Sequence, residues 1–215
     1  MRKTKRRRLR KRVLIGNYKE WESFSNNKEL HKIVTQITFS RFFNRPIKIL
    51  SQCKRLTHLR FGWEFNQSIE PLSGLINIIY LSFKGKFNQS INHISTLVNI
   101  IHLSLSWFFN KPIPTLFLLY KIKFLSFGFY FNQSIESLYT LIDLKELRLG
   151  QQFNKPTTVL RNLRRLELCI FGKNFNQSIK SLTSIKTLKI LVVGDHFNQP
   201  FYNLTEKNLL SVTRV

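Results

Sequence analysis

A Phe-Asn pair recurs eight times at an unvarying spacing of 22 residues, at Phe43, Phe65, Phe87, Phe109, Phe131, Phe153, Phe175 and Phe197. So strict a period restricts the chain to architectures made by stacking one short supersecondary unit. Ordering the 22 residues of a unit costs about 1–2 kcal/mol each, whereas its roughly six apolar side chains return about 1.5–3 kcal/mol apiece on burial. A single unit therefore cannot fold, and neighbours must cover each other's apolar faces.

With the Phe as position 1, position 5 holds Ile47, Ile69, Ile91, Ile113, Ile135, Thr157, Ile179 and Phe201, and position 8 holds Leu or Ile from Leu50 to Leu204. Positions 14 to 19 read L-x-x-L-x-L, as in Leu56, Leu59 and Phe61 or Leu188, Leu191 and Val193. This is the strand signature of a leucine-rich repeat, in which alternation sends positions 17 and 19 inward and 16 and 18 outward. Ile37 and Phe39 supply an incomplete leading unit, and Leu210, Thr213 and Val215 supply a last strand. The expectation is a mainly β, leucine-rich-repeat-like solenoid with one parallel sheet of about nine short strands and an extended or 3₁₀ convex side. Little helix is expected except in an N-terminal cap.

The chain divides into a basic tail over 1–12, a cap and partial repeat over 13–42, and eight repeats over 43–215. Trp21, Phe24 and Leu30 have helical spacing, as suits a cap. Val215 falls three residues short of completing the eighth unit, so that end is expected to be uncapped and to dock on a partner or on its own copy.

The Phe-Asn pair, the following Ile and the leucine register, recurring in phase from Phe43 to Val215, resemble the FNIP repeats. These are a leucine-rich-repeat relative abundant in social amoebae and in large viruses that infect amoebae. The Pro of the family pattern stands at Pro46, Pro112, Pro156 and Pro200 and is replaced at Ser68, Ser90, Ser134 and Ser178, where the turn loses some rigidity. Many members carry an F-box ahead of the repeats, for which Val13 to Phe42 looks too short. The resemblance implies binding to another protein and supplies no chemistry.

Composition agrees with a packed core, since 43% of the 215 residues are apolar and 20 are Phe. No apolar run approaches the roughly 18 residues of a membrane span, and Val13 to Ile15 are too few for a secretory signal. The 35 Lys and Arg against 11 Asp and Glu leave a net charge of +24. Nine of the basic residues are Arg2, Lys3, Lys5, Arg6, Arg7, Arg8, Arg10, Lys11 and Arg12. The tail they form is expected to be disordered and to act as a nuclear-import signal or a polyanion binder. Lys54, Arg55, Lys121, Arg161, Arg164, Arg165 and Lys186 extend the positive charge over the convex side. The expected location is intracellular, nuclear if the tail is an import signal and otherwise cytoplasmic.

Catalytic motifs are lacking: there is no Gly-rich phosphate loop, HExxH, GxSxG or CxxC. The five His are expected at the surface. His58 and His102 share position 16 with Tyr80 between them, about 10 Å apart and too far to share a metal ion. Cys53 and Cys169 fall at inward positions about 24 Å apart, which predicts free thiols and a reducing compartment. The Asn column from Asn44 to Asn198 is expected to bond turn backbone at each bend. That commits four of the Asn-x-Ser/Thr sites, at Asn66, Asn88, Asn132 and Asn176, Asn203 being the fifth. The chain thus reads as a non-enzyme without cofactor or metal.

The outward columns supply the candidate partner-binding residues: His58, Arg60, Tyr80, His102, Phe124 and Arg148, then Leu168, Ile170, Ile190 and Val192. The last four, with Val212, make a contiguous apolar patch unless the register drifts and turns them inward. Trp63, Trp107, Phe108, Phe129 and Tyr130, in the loops after the strands, either pack on one another or form a binding rim. The function expected is a non-catalytic protein-interaction scaffold; the alternative is nucleic-acid or anionic-surface binding through the tail and the convex basic residues.

Overall fold

The computed structural model describes residues 11–204 and 211–214, with Asn203 and 211–214 described by their backbone only. Arg2, Lys3, Lys5, Arg6, Arg7, Arg8 and Arg10 of the tail, and Leu210 and Val215, lie outside the described residues.

Strand propensity concentrates at positions 16–18, and there the chain extends once per repeat: β3 (His58–Arg60), β4 (Tyr80–Ser82), β5 (His102–Ser104), β6 (Phe124–Ser126), β7 (Glu146–Arg148), β8 (Leu168–Ile170) and β9 (Ile190–Val193). With β2 (Val34–Phe39) ahead and β10 (Ser211–Arg214) behind, these are the nine strands of the expected series. A tenth, β1 (Lys11–Ile15), precedes them, and the sheet is parallel in sequence order throughout. Lys11 and Arg12 thus belong to a strand and not to a disordered tail. The cause is the alternation of KRVLI: Ile15 is buried at 1% exposure and Val13 packs half-buried beside it, while Ser40 N–H closes on the Ile15 carbonyl at 2.8 Å.

The cap also contains the expected helix, as α1 (Tyr18–Asn26) and α2 (Lys28–Ile33). Asn17 caps the start of α1, its side chain accepting from the Glu20 N–H at 3.0 Å, while the Glu20 carboxylate accepts from the N–H of the preceding Gly16. Asn27 accepts from Leu30 N–H at 2.9 Å to start α2. Trp21 seals the end of the aromatic core, with ring contacts to Phe24, Phe39 and Phe43 at 5.2–5.7 Å. His31 is not a surface residue: it is buried under the cap, where its Nε2–H donates to the Phe24 carbonyl at 2.8 Å.

On the far side of each repeat a 3₁₀ turn starts at position 6, running to position 10 as at Lys48–Gln52 and Glu136–Thr140, or to position 8 as at Glu70–Leu72 and Tyr202–Leu204. Between this side and the sheet lies one continuous core. Successive position-1 Phe rings stack 5.9–6.3 Å apart from Phe43 to Phe197. The rings of Phe39, Phe61 and Phe83, next to the strands, are only 5.0–5.1 Å apart, and the strands themselves about 4.8 Å. Equivalent atoms move apart with distance from the sheet, so the sheet lines the inside of the curve.

The Asn column works differently from expectation. Its Oδ1 atoms do not close their own bends but accept the backbone N–H of the next repeat's Asn at 2.9–3.1 Å, from Asn44 through Asn176. Gln67, Gln89, Gln133, Gln177 and Gln199 add an Nε2–H donor to the same oxygens. Because the loop lies at a rim where repeats are splayed beyond strand spacing, a side chain spans what backbone alone does not.

Candidate functional site

Outward alternation delivers all ten candidate partner-binding residues to the concave face. Inward neighbours Leu59, Leu81, Leu103, Leu125, Leu147, Cys169 and Leu191 are buried at 0–1% exposure, while the flanking position-16 and position-18 side chains face the concavity. The register runs unbroken from Gln36↔His58 to Leu168↔Ile190, so Leu168, Ile170, Ile190 and Val192 stay outward as a half-exposed apolar patch. Val212 is described by its backbone only. It pairs with Leu191, the inward column, because Ser211 follows Ile190 by 21 residues instead of 22.

Position 16 forms a ladder of rings. His58 stacks on Tyr80 at 5.8 Å, Tyr80 on His102 at 4.4 Å, and His102 approaches Phe124 at 6.0 Å. Thr57 Oγ1 lies 2.9 Å from His58 Nδ1, and the Arg60 guanidinium sits 4.2 Å over the Tyr80 ring. Burial holds the His102 imidazole below its ordinary value, with a smaller push from Arg60 and an opposing pull from Glu146. Interposed Tyr80 keeps the two imidazoles from sharing an ion, and among the described residues no three His, Cys, Asp or Glu cluster for a metal.

Position 18 runs Arg60, Ser82, Ser104, Ser126, Arg148 across five adjacent strands. Ser126 Oγ–H donates to Ser104 Oγ at 3.0 Å, and Arg148 pairs with Glu146 at 3.2 Å. The cap lengthens the face in a way the period does not foretell: Arg12 and Leu14 of β1 register with Gln36 and Thr38, and Leu14 is 67% exposed.

In the rim loops, Trp107 stacks on Phe129 at 4.8 Å and Phe108 on Tyr130 at 5.1 Å, yet Trp107, Phe108 and Tyr130 remain exposed. Trp63 is committed to packing. It covers Gly85, whose φ is +52° and where a Cβ would lie 2.6 Å from the indole, so there is no room for a side chain.

Two features of the far side lay outside the sequence reading. Ile76, Val98, Tyr120 and Ile142, all at position 12, make an exposed apolar stripe. Beside it an open groove of about 850 Å³ is lined by Pro112, Pro114, Phe117, Tyr139, Val159 and Arg161. Ser137 Oγ in this groove is buried with no hydrogen-bond partner in the protein. The period already showed position 12 to be apolar in four consecutive repeats, which was the available signal. The basic residues Lys54, Arg55, Lys121, Arg161, Arg164, Arg165 and Lys186 are all exposed, Arg165 pairing with Asp143 at 3.1 Å.

Cys53 and Cys169 are buried free thiols. Burial pushes the Cys53 thiol up to about 12 and that of Cys169 higher still. No helix among the described residues is long and apolar enough to cross a membrane.

No protein-family model matches the chain, and no curated protein is significantly similar to it. Solved structures are. Internalin C2 of Listeria monocytogenes superposes with a TM-score of 0.76 at 20% identity, covering 88% of this chain and 84% of its own. CroV588, described as a novel circular LRR protein, gives a TM-score of 0.63 at 28% identity over 84% of this chain and 30% of its own. Toll, solved in complex with Spatzle in Drosophila, gives 0.61 at 12% identity over 85% of this chain and 30% of its own. The in-phase strand motif, the sequential parallel sheet and these likenesses together make the chain a leucine-rich-repeat solenoid.

Proposed function

We propose that this protein is a non-catalytic scaffold that binds another protein through its concave sheet face and the adjoining aromatic rim. The single observation that carries this reading is the run of outward side chains from His58 to Val192, held in one unbroken register, with half-exposed rings on β3 to β6 and aliphatic groups on β8 and β9 either side of Glu146 and Arg148. Half-exposed rings and aliphatic side chains gathered on one face of a rigid sheet favour a partner site. The fold agrees, since Toll with the same architecture was solved bound to Spatzle. The assignment of the repeats to the FNIP family rests on the in-phase Phe-Asn and Ile columns.

The test is a comparison of partner capture from host-cell lysate by the wild type, Tyr80→Asp, Leu168→Asp/Ile190→Asp and a far-side variant, Tyr120→Asp. The reading requires that the two concave variants lose a protein which Tyr120→Asp retains. Capture that survives both, or is lost only with Tyr120→Asp, overturns it.

The alternative, nucleic-acid or anionic-surface binding through the basic tail and the convex basic residues, is favoured by the exposure of all seven far-side basic residues. Removing residues 1–10 separates its parts: salt-sensitive oligonucleotide binding that survives removal assigns the contact to the folded body.

A further inference from the structure

Within the proposed concave site, the position-18 column has an ordered charge pattern. Two arginines, Arg60 and Arg148, bracket three serines, Ser82, Ser104 and Ser126, across the strands β3 to β7. Both arginines are exposed, whereas Ser82 is buried at 8% and the other two serines are half-buried. Small side chains there leave a trough. One flank is the ring ladder Tyr80, His102 and Phe124; three residues beyond the strands lies the Trp107–Phe129 stack.

We propose that this trough takes an extended segment of a partner protein, laid across the strands, with acidic side chains about six residues apart seated at Arg60 and Arg148. The rest of this inference depends on the concave face being the docking surface. Four strand spacings separate the two arginines, about 19 Å, and an extended chain advances about 3.3 Å per residue, so residues i and i+6 reach both ends. Serines between them suit a small, uncharged centre, and the rings alongside suit apolar side chains on alternate residues.

Charge favours an acidic occupant. Arg12, Arg60 and Arg148 face the concavity of a chain whose net charge is +24, and Glu146, already paired with Arg148 at 3.2 Å, is the acidic group among the outward residues of β2 to β9. Exposed pairs of that kind are weak and exchange readily, so an incoming carboxylate competes with Glu146. The spacing disfavours a nucleic-acid strand, in which a phosphate recurs about every 3.4 Å of rise and most would lie over neutral serines.

The probe is a set of fluorescein-labelled 12-residue Gly/Ser peptides carrying two Glu at i and i+6, two Glu at i and i+3, or none, titrated at low salt by fluorescence anisotropy. The i,i+6 peptide is expected to bind about fivefold tighter than the i,i+3 peptide, and Arg60→Glu or Arg148→Glu each to remove that advantage. Glu146→Gln is expected to strengthen binding, and the Arg60→Glu/Arg148→Glu double variant to prefer a Lys-substituted i,i+6 peptide. Circular dichroism checks that the variants fold. Equal binding of the two Glu spacings, indifference to both arginine variants, or displacement of the peptide by a ten-nucleotide thymidine strand through those same arginines would each overturn the proposal. If spacing has no effect while Tyr80→Asp still abolishes partner capture, only the acidic-segment inference falls; if Tyr80→Asp leaves capture intact, the concave reading falls with it.

Discussion

Replacing Asn110 with Ala tests whether the Asn column, and not only the leucine core, joins one repeat to the next. Asn110 Oδ1 accepts the Asn132 N–H at 3.0 Å and the Gln133 Nε2–H at 3.0 Å, while its own N–H donates to Asn88 Oδ1 at 2.9 Å. Truncation removes the first two bonds and leaves the third. At about 1 kcal/mol per bond, with water repaying part of the loss at the half-exposed Asn132, the cost is about 1–2 kcal/mol. For a domain of this size that is a fall of about 3–6 °C in Tm, read by thermal melts and by urea unfolding at unchanged m-value. Asn110→Asp keeps the acceptor and is expected to cost less than Ala by about 1 kcal/mol at neutral pH, because the column donates nothing through its amide nitrogens in these bonds. The cycle with Gln133→Ala isolates the side-chain pair. A loss under about 0.5 kcal/mol for Asn110→Ala, or equal losses for Ala and Asp, refutes the ladder as an energetic link.

Gly150→Ala places a methyl carbon 1.7 Å from the Gly128 carbonyl oxygen, a backbone atom that cannot swing away, so the repeats must separate. The expected destabilisation is at least about 1–3 kcal/mol by urea unfolding, and a neutral result refutes the close approach. His102 is held below its ordinary value in the fold, so on acidification the unfolded chain binds the proton first. Stability is therefore expected to fall as pH drops through and below 6.5, and His102→Gln to flatten the Tm profile in that range. The raised pKa of Cys53 and its burial predict that neither thiol reacts with a disulfide reagent at neutral pH until urea unfolds the protein; rapid labelling of the native state refutes this.

The repeat, the strand positions, the inward and outward columns and thus all ten concave candidates were legible in the sequence. A 22-residue period aligns every unit on one template, so reading one strand reads its whole series. Legibility failed where the template does. β1 has no Phe-Asn pair and hides in a basic run; only packing of Ile15 against β2 makes it a strand. The last unit is one residue short before β10, and register there follows pairing and not the count.

What the sequence determined by itself is the unit, its number and which side chains share a column, because these depend on spacing along one chain. The tertiary structure alone decided how the columns meet. The Asn oxygens bond across repeats and His31 is buried beneath the cap, since each depends on distances between units that no single unit encodes.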